Sequence, residues 1–138
     1  METMIPSTTA RSARRRHRLF TVLSATAATL LGWAVAVPLA GVELTARSGG
    51  VEQRVSPVAV AVSTLLAGLA GWALLALLER FTGRARAVWT VVAVLVLLLS
   101  LLGPVSGGAG RAATLTLVVL HLLAGAVLVP GLRRTAGR

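Results

Sequence analysis

The chain has 138 residues, of which 56% are hydrophobic, 4% aromatic and 13% charged, and its mean hydropathy is +0.85. A single globular core of this length cannot hide so much apolar surface, so a soluble fold is excluded; a bilayer asks only that each backbone hydrogen bond be satisfied within its own helix. The net charge of +10 is carried by 14 arginines with no lysine, and the absence of cysteine excludes disulfides, thiolate metal sites and cysteine nucleophiles.

Residues 1–18 form a polar, basic segment ending in Arg11, Arg14, Arg15, Arg16, His17 and Arg18, expected as a disordered cytoplasmic tail. An uncharged stretch follows from Leu19 to Ala40, long enough at about 1.5 Å per residue to cross a hydrocarbon core of about 30 Å. It is too long for the apolar region of a cleaved signal peptide. Residues 41–56 make the one sizeable loop on the far side. There Val42, Leu44 and Ala46 alternate with polar residues before Gly49-Gly50, and Val51 and Val55 follow, which suggests a short hairpin, with an irregular loop as the alternative.

The second apolar stretch runs from Pro57, well suited to the first turn of a helix, to Leu78, where Glu79 and Arg80 stop it. The third, 87–102, is nearly pure Val and Leu and meets Gly103-Pro104, which should allow no more than about one further turn. The fourth, 112–129, is closed by Pro130-Gly131 and followed by a basic tail, 133–138. The transmembrane domain thus spans 19–132.

Arginine placement orients the spans. The N-terminal tail carries five, the loop after the second span three and the C-terminal tail three, against Arg47, Arg54 and Arg111 on the other side. Basic residues beside a span are retained in the cytoplasm. Sequence alone therefore gives an all-α, antiparallel four-transmembrane-helix bundle in the cell membrane, both termini cytoplasmic. The arginine-only basic set, with abundant Ala, Val, Gly and Leu, points to GC-rich codons and a bacterial source. The basic face is expected to bind anionic headgroups, at about 1 kcal/mol per arginine, rather than nucleic acid.

Small residues recur every fourth position in the first span (Ser24, Ala28, Gly32, Ala36, Ala40) and the second (Ala59, Ser63, Ala67, Gly71). Such stripes let helices approach closely in lipid. They are expected to pack within the chain, with self-association or an unknown membrane partner as the alternative. His121 is the one ionisable side chain inside a span, and Thr29, Ser63 and Thr64 fall at a similar depth, where they could supply a hydroxyl partner across helices. This candidate polar layer is weighed against a plain packing role. Glu43 and Trp33 are candidate outer-entrance residues. Glu43, Arg47, Glu52 and Arg54 are expected to pair among themselves, Glu79 to pair with its neighbours Arg80, Arg84 and Arg86, and Trp72 and Trp89 to anchor at the membrane interface.

No phosphate loop, zinc-protease motif, catalytic triad or intramembrane acid pair is present, so no cofactor, metal or enzymatic activity is expected. Two roles follow: a structural or interaction protein, or a small transporter or channel-like component built on the polar layer. In Gly41-Val42-Glu43-Leu44, Leu69-Ala70-Gly71-Trp72 running into Leu78-Glu79-Arg80, Trp89-Thr90-Val91, Leu101-Leu102-Gly103-Pro104 and His121-Leu122, the chain resembles an actinobacterial family of small four-helix membrane proteins of unknown function. The resemblance implies the architecture and an acidic residue at position 43, and carries no activity.

Overall fold

The four uncharged stretches fall on helical segments of the structure, a computed structural model that describes residues 8–107 and 109–137. In chain order these are α1 (Thr8–Ala34, continued by a π-helical turn, Val35–Leu39), β1 (Thr45–Ser48), β2 (Val51–Arg54), α2 (Pro57–Phe81), α3 (Ala85–Ser100), α4 (Leu102–Gly107) and α5 (Arg111–Thr135). Among the described residues, four helical segments are long and apolar enough to cross a membrane: Thr8–Leu39, Pro57–Phe81, Ala85–Gly107 and Arg111–Thr135.

Helix boundaries depart from expectation where local chemistry favours continuation. α1 begins at Thr8, so residues 8–18 are helical rather than a loose tail. Ala and Arg are strong helix formers, and neither Gly nor Pro occurs between Thr8 and Gly32. Residues 1–7 of the expected tail lie outside the described residues. Near its other end α1 meets Pro38, which cannot donate to the preceding turn. The helix widens there, with Ala40 N–H bonding Val35 O, and Gly41 at φ +70° takes the left-handed turn that ends it.

α2 starts as expected, with Ser56 Oγ accepting from Ala59 N–H and Pro57 in the first turn, and runs three residues past Leu78 to Phe81. The third span breaks after Ser100, yet α4 carries it through Pro104 to Gly107. Pro130 does not close the last helix. It is exposed, as is Ala126, whose carbonyl loses its usual donor, while Gly131 against Thr21 and buried Leu132 hold the following turn in place.

The loop at the far end is a true hairpin. Gly49 (φ +59°) and Gly50 (φ +81°) adopt the two positive φ values of a type I′ turn, which aligns Arg47 with Glu52 and Ala46 with Gln53. Those aligned charges meet at 2.6 Å in an exposed pair, while Glu43 and Arg54 of the same expected cluster form no ion pair among the described residues.

α5 packs on each of the other helices, and α1 lies along both α5 and α2. Two apolar cores form at opposite ends. Leu44, Val60, Ala113, Leu117 and Leu120 make the one under the hairpin, and Leu75, Trp89, Leu132 and Ala136 make the other, at the arginine-rich end. α3 joins the bundle mainly through Trp89 and Leu97, and most of its Val and Leu surface stays exposed.

Candidate functional site

Small residues decide which faces meet. Gly32 of α1 lies against Leu120 and Leu123 of α5, with Ala28 and Ala36 half-buried on either side, so the middle of the first stripe packs within the chain while Ala40 at its end is exposed. The stripe of α2 behaves differently. Ala59, Ser63 and Ala67 are exposed, and the buried face is the adjacent row Val60, Thr64 and Gly68. Gly68 is the tighter of the two glycines of α2, since a Cβ there would stand 2.8 Å from Val22 Cγ1. Neighbouring rows on a helix are separated by about 100°, and both rows carry small residues, so periodicity alone could not choose between them.

Turning Gly68 toward α1 leaves the other row lining a groove between α2 and α5. A cavity of about 320 Å³ extends from Val55, at the foot of the hairpin, past Ser63 and Thr64 to His121 and Ala124. It meets a second cavity, about 380 Å³, that continues between α2, α3 and α5 toward Trp89; Ala67, His121 and Ala124 line both. The walls are mainly aliphatic.

The four residues of the candidate polar layer all line the first cavity, but they do not form one network. Thr29 Oγ1 and Thr64 Oγ1 lie 3.0 Å apart at the buried contact between α1 and α2. Both are also within reach of carbonyls of their own helices, Ala25, Thr26 and Val60. Each hydroxyl has a single proton, so one of the pair donates across the interface while the other donates within its helix. Ser63 Oγ donates to Ala59 O.

His121 does not bond across helices. Its Nδ1 lies 2.7 Å from Leu117 O, one turn back on the same helix, and must be the donor because a carbonyl only accepts. In the neutral ring Nε2 is then left as an acceptor with no hydrogen-bond partner among the described residues. Ser100, which sequence reasoning missed, lines the second cavity near His121. It belongs to the apolar third span, where nothing in the sequence marks it as facing the groove.

Neither entrance candidate lines the cavity. Trp33 is half-buried and its Nε1–H donates to Val55 O at 2.9 Å, fastening α1 to the base of the hairpin; Glu43 is exposed. Gly71 sits where Trp89 reaches α2. The indole Nε1–H donates to Gly71 O at 2.9 Å, and Trp89 is only 2% exposed, so it is a core residue rather than an interface anchor. Trp72 is half-buried against the same core.

The arginine-rich end holds a polar latch. Arg18, expected in the tail, is buried and reaches Glu79 at 2.7 Å, with Nε donating to Thr135 Oγ1 and Nη2 approaching Thr135 O at 3.3 Å. Glu79 Oε1 also accepts from Gly137 N–H. Glu79 therefore pairs with α1 rather than with Arg80, Arg84 or Arg86, because its position near the end of α2 faces the first turns of the apolar part of α1. No group of three His, Cys, Asp or Glu side chains that could hold a metal ion occurs among the described residues.

Comparison with curated proteins and comparison with solved structures each found no match. The model of a family of unknown function, DUF6069, matches residues 9–138, from the first turns of α1 through the hairpin to the end of α5, and the chain belongs to that family.

Proposed function

We propose that the protein is a non-enzymatic interaction component of the bacterial cytoplasmic membrane: an antiparallel bundle of four transmembrane helices, both termini cytoplasmic, that associates with a second copy through α2. The carrying observation is that Ala59, Ser63 and Ala67 stay exposed on α2 while its buried face is made by the neighbouring Val60, Thr64, Gly68 and Leu75. In lipid no hydrophobic drive holds helices together, so an uncovered row of small residues matters because it lets another backbone come close. Such a row is self-complementary about a two-fold axis. The charge distribution supports the orientation, with Arg18, Arg86, Arg133 and Arg134 at the end opposite the hairpin.

Because the chain has no cysteine, single Ser63→Cys and Ala67→Cys substitutions report proximity cleanly. Oxidation in native membranes should give disulfide-linked homodimers at these positions and not at Leu31→Cys, on the exposed side of α1. Equal crosslinking at all three positions, or none, would count against self-association.

A small transport or channel-like component is the second reading, favoured by the convergence of Thr29, Ser63, Thr64 and His121 on one cavity. Such a role requires water to reach His121. Reaction of Ala124→Cys with a membrane-impermeant thiol reagent would favour it, and complete protection would remove it.

A further inference from the structure

The chain places far more positive charge at one end than it neutralises. Glu79 is the one described carboxylate there, and its Oε1 is already taken by Arg18 and by Gly137 N–H. Glu43 precedes the hairpin and Glu52 lies within it, at the other end. Arg86, Arg133 and Arg134 are thus left without a carboxylate partner among the described residues.

These three arginines converge on one recess. Arg86, in the first turn of α3, and Arg133 and Arg134, in the last turn of α5, line a cavity of about 490 Å³ whose remaining wall is Val129 and Pro130. Arg86 is held in place, its Nη2 donating to Ala136 O at 2.9 Å, while its buried Nε has no acceptor. The recess therefore combines a fixed guanidinium, two exposed guanidinium groups and an apolar wall one turn deeper along α5. Guanidinium groups match phosphate oxygens in charge and geometry.

We infer that this recess is a binding site for one anionic glycerophospholipid, its phosphate among Arg86, Arg133 and Arg134 and an acyl chain against Val129 and Pro130. The inference rests on the membrane placement proposed above. The apolar wall is what favours a lipid over a free phosphate ion, which would gain nothing from Val129 and Pro130. A basic recess between helices at headgroup level is the setting in which specific headgroup binding arises.

The test uses the full chain in detergent, titrated with dioleoyl phosphatidylglycerol and read by native mass spectrometry, with dioleoyl phosphatidylcholine and inorganic phosphate in parallel. The expected result is one phosphatidylglycerol retained per chain, not displaced by excess inorganic phosphate and not replaced by phosphatidylcholine. The double substitution Arg133→Gln with Arg134→Gln should weaken binding by about thirtyfold, the worth of two surface arginines. Arg14→Gln with Arg15→Gln removes the same charge from the exposed start of α1 and should leave binding unchanged. Equal weakening by both pairs would overturn the site in favour of diffuse attraction, and displacement by phosphate would overturn the lipid. If the α5 pair unfolds, Arg134→Gln alone carries the comparison against Arg14→Gln. Carbonate extraction of the wild-type chain reads membrane residence separately, so failure of that placement is distinguishable from failure of the site.

Discussion

Arg18 and Glu79 form an ion pair across α1 and α2 whose side chains are 5% and 19% exposed, and the same arginine bonds the end of α5 through Thr135. Three helices are thereby fastened at one point. The other ion pair, Arg47 with Glu52, is short as well, but its side chains are 59% and 52% exposed. Burial, not distance, separates the two. Breaking a buried pair strands a charge that water cannot reach, whereas an exposed pair exchanges its partner for solvent.

Glu79→Gln should therefore destabilise the fold by about 3 kcal/mol, while Glu52→Gln should cost no more than about 0.5 kcal/mol. Unfolding in mixed micelles, followed by helix circular dichroism, reads both. Equal effects would show that the latch is as wet as the hairpin pair.

Gly68 and Ala67 are neighbours in sequence with opposite surroundings. A side chain at Gly68 meets the branched carbons of Val22, which have no free end to swing away, so Gly68→Leu should separate α1 from α2 and cost at least about 1–3 kcal/mol. Ala67→Leu points into the open groove and should leave monomer stability within about 0.5 kcal/mol. Thermal unfolding in detergent compares the pair, and a large loss from Ala67→Leu in the monomer would contradict the assignment of faces.

Trp89 contributes both volume and one hydrogen bond to the core at the arginine-rich end. Trp89→Phe keeps most of the volume and loses the donation to Gly71 O, for a cost of about 1 kcal/mol, whereas Trp89→Ala should cost about 3–5 kcal/mol. A blue-shifted Trp89 emission that quenchers in the lipid phase fail to reach, measured with Trp33 and Trp72 replaced by Phe, would confirm its burial in protein. Ready quenching would return it to the interface.

The sequence by itself determined the number of apolar spans and their approximate extents and suggested the hairpin beside an irregular loop, because these depend on local quantities: run length of apolar residues, helix-starting Ser56-Pro57, and Gly49-Gly50 between alternating residues. It was less reliable at helix ends: Pro130 costs one hydrogen bond, and the packing of Gly131 against Thr21 and of buried Leu132 outweighs that loss. What only the tertiary structure decided is which face of each helix meets a neighbour. Two adjacent rows of small residues on α2 have the same period, and Val22 opposite Gly68 selected between them. The same rotation left Ala59, Ser63 and Ala67 in the open groove with His121, put Trp89 inside, and brought Arg18 to Glu79. Each of these depends on where a second and third helix stand, which no local pattern records.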